Sequence, residues 1–389
     1  MTDTHDLAPA APVASVASVA AAPAAEAPVP GRRRVLKAAV AAAAASALPF
    51  PAIAQGAKVR YTLSWLPTGQ YAFVYMARQL GFWKKRGIEV DIARGFGSMG
   101  AIQGVAGDKF DMGGAATGAI AISVMRGLDL EIVGTQGYDS FMGILAPSNG
   151  PIKSPKDLVG KKVGVTAAGG DTPFLPAYCK LAGIDFGSLN VVALDSQIIE
   201  QSVINGQVDC MVAFGMSSIP NFITQNFPVT LFKFSDVGLN FYWVNTMARG
   251  DFYKKNPQLV ADVQEGLMEG MKWTMLNPEE AVERHLKEHP EIALGKSGKL
   301  FTELGVGMIA VCNTVPETAR YGVGYTDLRS LDQQAKLVRQ YTGKPEDPAP
   351  PPAERYAVNF KTGAVMLTPA EWQTVQAKTG KYAKLLAKG

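Results

Sequence analysis

The feature that most constrains this chain is an alternation of two hydrophobic periods. "KVRYTLSW" (58–65), "IEVDIAR" (88–94), "DMGGAA" (111–116) and "LEIVGTQG" (130–137) read as strands, rich in β-formers or small residues. The segments between them, "AFVYMARQLGFWKKRG", "AIQGVAGDKF" and "TGAIAISVMRG", carry apolar residues at helical spacing. Strands separated by helices of this length are βαβ units, which demand a parallel sheet covered on both faces. The pattern pauses over 141–162 and restarts with "KVGVT", "NVVAL" and "VDCMVAF", again separated by helical segments. Strands "VTLFKF" and "NFYWVNTMAR" follow, then long amphipathic helices over 257–289, 299–312 and 325–341. The fold class is α/β, with two lobes joined through extended segments.

The first 54 residues stand apart. Residues 8–30 are almost entirely Ala, Pro, Val and Ser, which build no core. Arg32, Arg33 and Arg34 with Val35, Leu36 and Lys37 match the twin-arginine pattern, and a mildly apolar run over 38–48 follows. Ala52-Ile53-Ala54 fits an A-x-A cleavage site, so residues 1–54 are expected to be a cleavable export signal ahead of a periplasmic chain. A Sec signal with an extra arginine is the competing reading. The apolar run is shorter than the 20 or so residues that a membrane span requires. The formal charge of the 389-residue chain is +4, part of it from this one cluster, and no basic stripe interleaved with aromatics appears elsewhere. Nucleic acid is therefore not an expected partner.

The chemistry-bearing residues are few. The chain has three cysteines, Cys179, Cys210 and Cys312, and no C-x-x-C. Its histidines are His5, His285 and His289. His285 and His289 are four apart, a spacing that can hold zinc, but "EEAVERHLKEHPE" reads as a solvated face and no metal is expected. Cys179 and Cys210 are read as buried free thiols, with pairing left open. No G-x-S-x-G or H-E-x-x-H occurs. "GFGSMG" matches G-x-G-x-x-G by letter only, since it follows the second strand. "GVTAAGGDTPF" (164–174) has P-loop spacing, but Gly170 and Asp171 stand where Lys and Ser/Thr belong. Neither a nucleotide cofactor nor a catalytic residue is assigned. Paired carboxylates among Asp139, Asp171 and Asp195 stay open.

Five strand-to-helix loops remain: "WLPTGQY" (65–71), "GFGSMG" (95–100), "AATG" (115–118), "TAAGGDT" (166–172) and "AFGMSS" (213–218). Ligands of open α/β sheets bind at this edge, where the first N–H groups of each helix lack intrahelical partners. The candidate site residues are Trp65, Thr68, Gln70, Tyr71, Gly97, Ser98, Thr117, Thr166, Gly169, Gly170, Asp171, Thr172, Phe214 and Gly215, with Tyr138, Asp195 and Tyr242 nearby. The hydroxyls read equally as plain N-caps. No Arg lies in the five loops, although Arg94 borders one. That tilts the expected ligand from a strong anion toward a neutral or weakly basic planar molecule, with Asp139, Asp171 or Asp195 accepting from its amino groups.

Several longer stretches carry a family resemblance: "LGFWKKRGIEVDI" (80–92), "GSMGAIQGVAGDKFDMGGAATGAI" (97–120), "IKSPKDLVGKKVGV" (152–165) and "VINGQVDCMVAF" (203–214). In this order they resemble the periplasmic substrate-binding proteins of ABC importers, in the branch that takes nitrate, taurine, sulfonates and pyrimidine precursors of thiamine. The resemblance implies a type II periplasmic binding protein fold, with two Rossmann-like lobes joined by two crossover strands. Lobe one is then 55–145 plus 246–345 and lobe two 146–245, with crossings near Ile144–Pro147 and Trp243–Met247. A proline-rich linker (346–352) and a tail with a helix (353–389) are additions. The resemblance further implies a monomer that binds a small solute without chemistry and delivers it to an inner-membrane permease. Two alternatives stay open: a binder of a sulfonate, taurine or nitrate-like anion, and an exported enzyme of the same fold in pyrimidine or thiamine-precursor metabolism.

Overall fold

The computed structural model describes residues 56–360 and 365–386, with only the backbone of residues 385 and 386. The proposed export signal lies outside the described residues. Ten strands form two five-stranded sheets. Sheet one holds β1 (Ala57–Thr62), β2 (Ile88–Ala93), β3 (Met112–Ala116) and β4 (Leu130–Thr135). Sheet two holds β5 (Met142–Pro147), β6 (Lys162–Thr166), β7 (Asn190–Leu194), β8 (Cys210–Phe214) and β9 (Val229–Lys233). The last strand, β10 (Val244–Arg249), returns to sheet one. The orders are β2-β1-β3-β10-β4 and β7-β6-β8-β5-β9.

The two sheets share one plan. In sheet one β10 runs antiparallel between β3 and β4, and in sheet two β5 runs antiparallel between β8 and β9. The remaining pairs, β1 with β2 and β3, and β6 with β7 and β8, are parallel. Each antiparallel strand is the one that arrives from the other sheet, so the chain crosses twice. Both crossings fall earlier than the family resemblance implies. Residues 136–141 make the first, because the apolar run Met142 to Ala146 is buried within sheet two from its first residue. Residues 234–243 make the second. The crossings pair with each other: Gln136 N donates to Val244 O (2.8 Å), Trp243 N to Gly137 O (2.9 Å) and Ser140 N to Phe241 O (3.1 Å).

Helices follow the parallel strands: α1 (Ala72–Gln79), α2 (Ser98–Ala106) and α3 (Thr117–Met125) on sheet one, then α4 (Leu175–Leu181), α5 (Ile199–Ile204) and α6 (Gly215–Thr224) on sheet two. The long helix α7 (Pro257–Leu276) buries Val260, Val263, Leu267, Met271 and Met275 at three- and four-residue spacing, against the core that holds α1 and Trp83. Trp83 Nε1 donates to Val263 O at 2.8 Å. Next come α8 (Pro278–Glu288), α9 (Gly298–Asn313) and α10 (Leu328–Thr342). Helix α9 packs on the Gly69–Tyr71 turn and also on α6, so it touches both lobes. Its Cys312 Sγ lies 2.9 Å from Met216 Sδ of α6.

The tail packs onto sheet one rather than standing free. Ala357 bridges Ile132 in parallel at the β4 edge, with Ile132 N donating to Tyr356 O (2.7 Å) and Val358 N to Ile132 O (2.8 Å). Helix α11 (Pro369–Leu386) lies on α9, burying Val375 and Tyr382. Fully burying each such side chain is worth roughly 1.5–3 kcal/mol. Among the described residues no helix is long and apolar enough to cross a membrane.

Candidate functional site

The carboxyl ends of the parallel strands in both sheets open toward one another. A narrow cleft lies between them, lined from one side by Ser64, Trp65, Tyr71, Gly97 and Ser98. From the other side come Thr166, Gly169, Gly170, Asp171, Glu200, Phe214 and Ser217. Trp243 and Val244, where the second crossing enters β10, line it as well. The lobes touch across the cleft. Met99 N donates to Ala168 O at 3.1 Å, and Ser217 Oγ to Gln70 Oε1 at 3.1 Å.

Two glycines make this approach possible. A Cβ on Gly170 would sit 2.6 Å from Ala116 Cβ and 2.8 Å from Ser98 Oγ. A Cβ on Gly97 would sit 2.3 Å from Ala168 O, and its φ of 109° is one that side chains disfavour.

The walls combine flat rings with carboxylates. Tyr71 and Trp243 lie with centroids 5.5 Å apart and planes tilted by 32°. Tyr71 Oη and Ser64 Oγ share a 2.6 Å hydrogen bond, which fixes the ring. Asp171 is 6 % exposed and accepts from Thr172 N at 2.9 Å. Burial pushes its carboxyl up to about 6, against the opposing pull of its hydrogen bonds. Glu200 is buried too, accepts from Ser218 Oγ at 2.9 Å, and is raised for the same reason. Among the described residues lining this cleft none is Lys, Arg or His. The pocket therefore presents acceptors without a cation, an arrangement that favours a partner bringing N–H groups.

Of the residues singled out in the sequence, Trp65, Tyr71, Gly97, Ser98, Thr166, Gly169, Gly170, Asp171 and Phe214 meet in this cleft. Thr68 lines an outer chamber that shares Trp65, Glu200 and Ser217 with it. Gln70 is buried behind the wall, holding Ser217. Thr172 is turned inward, its hydroxyl donating to Thr166 O (2.8 Å), so it braces the loop. Gly215 packs against Leu231, Ile219 and Phe141 O instead of facing the cleft.

Five candidates lie elsewhere. Thr117 is buried and its hydroxyl donates to Asn245 Oδ1. Tyr138 and Tyr242 pack edge to face at 5.4 Å, with Tyr138 Oη donating to Tyr325 O, so they serve the core next to the crossings. Asp195 is exposed and accepts from Gln197 N (2.8 Å), an ordinary turn cap. Asp139, named as a possible acceptor, accepts from Phe141 N within the first crossing.

Glu200, Ser64 and Ser218 carry no assignment from the sequence. Glu200 had a readable signal: it stands beside Ile199 and three residues before Val203, the buried face of α5. The stretch around His285 also departs from expectation. It was read as a solvated face, yet Ala281, Val282 and His285 form its buried stripe. His285 Nε2 lies 2.9 Å from Pro67 O, so this histidine braces the Trp65–Tyr71 loop from behind. Burial pushes its pKa down to about 3. Among the described residues no group of three or more His, Cys, Asp or Glu could hold a metal. The three cysteines are buried and free.

Comparison with known proteins fits this geometry. The structure resembles the alkanesulfonate-binding protein SsuA from Xanthomonas axonopodis pv. citri, with a TM-score of 0.60 and 13% identity over 79% of this chain and 100% of that one. The fold is that of the periplasmic binding proteins. In sequence the chain is similar to the riboflavin-binding protein RibY of Chloroflexus aurantiacus, 27% identical over 74% of this chain and 82% of that protein. It is also similar to the formylaminopyrimidine-binding protein of Halalkalibacterium halodurans, 21% identical over 58% of this chain and 68% of that protein. Two further relatives are named 4-amino-5-hydroxymethyl-2-methylpyrimidine phosphate synthase, from Legionella pneumophila (21% identical over 74% of this chain and 92% of the relative) and Schizosaccharomyces pombe (23%, over 39% and 43%). Residues 68–281 match the family described as NMT1/THI5 like, a span that holds both crossings and nearly the whole cleft, and the chain belongs to that family.

Proposed function

We propose that this chain is a solute-binding protein that captures a planar, nitrogen-containing molecule between its lobes and delivers it to an ABC permease in the inner membrane. The observation that carries this reading is the pair of buried carboxylates, Asp171 and Glu200, beside the Tyr71 and Trp243 rings with no cation on the cleft wall. Flat rings stack on aromatic faces, and ring N–H or amino groups satisfy the carboxylates. A sulfonate or nitrate would instead meet two acceptors and no charged donor. Relatives named for riboflavin and formylaminopyrimidine support the same class. Closure follows from a ligand that contacts both lobes at once and so favours the closed state. In this reading residues 1–54 are a cleaved twin-arginine-type signal and the mature chain works in the periplasm as a monomer.

The test is scanning fluorimetry with native mass spectrometry on the mature chain, against riboflavin, formylaminopyrimidine, taurine and nitrate. A heterocycle at a hundredfold its Kd should stabilise the protein by about 2.7 kcal/mol. Asp171→Asn should weaken that binding at least tenfold. Stabilisation by taurine or nitrate, with none by either heterocycle, would overturn the reading. The mass spectra also address the enzyme alternative, because turnover would change the mass of the bound molecule.

A further inference from the structure

Helix α9 is gripped on two opposite faces. Gly305 and Gly307 lie two positions apart, about 200° round the helix. On the first face the helix meets the Gly69–Tyr71 turn backbone to backbone. A Cβ on Gly305 would stand 2.7 Å from Gln70 N and 3.0 Å from Gly69 Cα, and a Cβ on Gly69 would run into Thr302 O. On the second face Gly307 lies under the ring of Tyr382 on α11, and a Cβ there would run into Cγ and Cδ1 of that ring. Tyr382 is buried, its Oη donating to Glu303 Oε1 of α9 at 3.0 Å, and Lys381 Nζ donates to the same oxygen at 2.9 Å. Beyond the turn, Tyr71 lines the cleft and Gln70 Oε1 accepts from Ser217 of the opposite lobe.

We propose that the C-terminal helix is a positioning element of the binding site, in which Tyr382 seats α9 against the Gly69–Tyr71 turn and so places Tyr71 and Gln70 at the cleft. The inference rests on the cleft being where the solute is bound. Where backbone meets backbone there is no side chain to flex, so a shift of α9 passes directly to the turn. Glycine inside a helix is disfavoured against alanine, and close approach on both faces accounts for its presence at 305 and 307. The far end of α9 is pinned separately, to the first crossing: Tyr138 N donates to Cys312 O at 3.1 Å and Asn313 Nδ2 to Gln136 O at 2.8 Å. Helices α6 and α8 pack on α9 as well. The stretch that carries Thr302, Gly305 and Gly307 is the one that Tyr382 covers. Val375, two turns before Tyr382 on α11, is buried in the core that holds Val306 and Ile309 of α9, so the tail meets this helix along a stripe.

The test is hydrogen exchange and ligand titration on the full mature chain, with Tyr382→Ala, Gly307→Ala and Tyr382→Phe. The amides to follow are those of Tyr71 and Ala72, bonded to Thr68 O and Gly69 O within the turn. Removing the ring, or displacing it with the Cβ that Gly307→Ala adds, should speed their exchange severalfold in the ligand-free protein. Exchange in β6 should stay unchanged and report an intact fold. Both variants should weaken binding of riboflavin or formylaminopyrimidine, whichever the natural protein takes, by about fivefold, within the range carried by a chain of packed contacts. Tyr382→Phe keeps the ring over Gly307 and should match the natural protein in both measurements. Unchanged exchange at Tyr71 and Ala72 in both Tyr382→Ala and Gly307→Ala would overturn the inference, and so would faster exchange with undiminished affinity. Faster exchange in β6 as well would show a loss of stability alone and would also overturn it. Exchange needs no ligand: if neither heterocycle binds, the reading of the ligand falls, and exchange in the turn still decides the role of Tyr382.

Discussion

At the residue scale the informative groups are those held in a costly state. Asp171 sits in the cleft with its carboxyl raised by burial to about 6, against an ordinary 3.8. A carboxyl raised in the folded state makes the fold bind protons that the unfolded chain has already lost. Stability therefore falls as pH rises from about 4 to about 6, and the cost at neutral pH is about 3 kcal/mol. Asn is neutral at every pH and can still accept from Thr172 N, as Asp171 does now. Asp171→Asn should thus unfold at higher urea than the natural protein at pH 7.5, and the two should converge near pH 4. Such a residue is kept against stability, the trade expected of a binding group. An equal gap at both pH values would mean that the carboxylate carries no burial cost.

At the element scale, the alternation of strand and helix patterns was legible because each period follows from local geometry: β1 buries Val59 and Tyr61, two apart, while α7 repeats every three or four residues. The loops at the carboxyl edge were legible for the same reason, since their place follows from strand direction. Which side chains turn into the cleft was not. Thr117 and Ser98 both begin a helix, yet one bonds Asn245 and the other lines the site, a choice made by the neighbouring strand rather than by either loop. The role of α8 was hidden likewise, because its charged residues mask the stripe that brings His285 against Pro67.

That contact makes a prediction for α8 and the loop together. With Nε2–H donating to Pro67 O, Nδ1 of His285 is buried without a partner among the described residues, and the groups around it are His289 and Tyr75, with Glu291 on His289. Protonation would add a charge and an unmatched donor, so the histidine stays neutral and its pKa falls to about 3. A group with a depressed basic pKa contributes stability that is present above its unfolded value, about 6.5, and lost as pH falls toward 3. Between pH 6.5 and 4.5 the loss is about 2 kcal/mol. His285→Gln should flatten this part of the acid limb in urea titrations and keep ligand affinity, because an amide can still donate to Pro67. His285→Ala should weaken ligand binding severalfold through the unbraced loop. Identical affinities for the two variants would remove the brace from the site's support.

At the scale of the whole molecule the decisive quantity is how closely the lobes approach. Gly170, in the loop after β6, and Ala116, at the end of β3, belong to different lobes, and a Cβ on Gly170 would stand 2.6 Å from Ala116 Cβ and 2.8 Å from Ser98 Oγ. Ordinary contacts between such atoms begin near 3.5 Å, so Gly170→Ala holds the lobes apart by most of an ångström at the point where they meet. Neither lobe's own core contains this contact. The backbone of Gly170 lies outside the left-handed region, so alanine adds no local strain, and the smaller entropy of its unfolded chain stabilises by roughly 0.4–1 kcal/mol. Melting of the free protein should therefore stay level or rise. Ligand affinity should drop at least tenfold, because the ligand gains its differential contact only when both walls reach it. Small-angle scattering should show the natural protein contracting on saturation with ligand and the variant failing to contract. Unchanged affinity with normal contraction would show that the walls meet without Gly170 setting the limit, and closure would then have to be governed at the paired crossings, where Trp243 is bonded to Gly137 and Ser140 to Phe241.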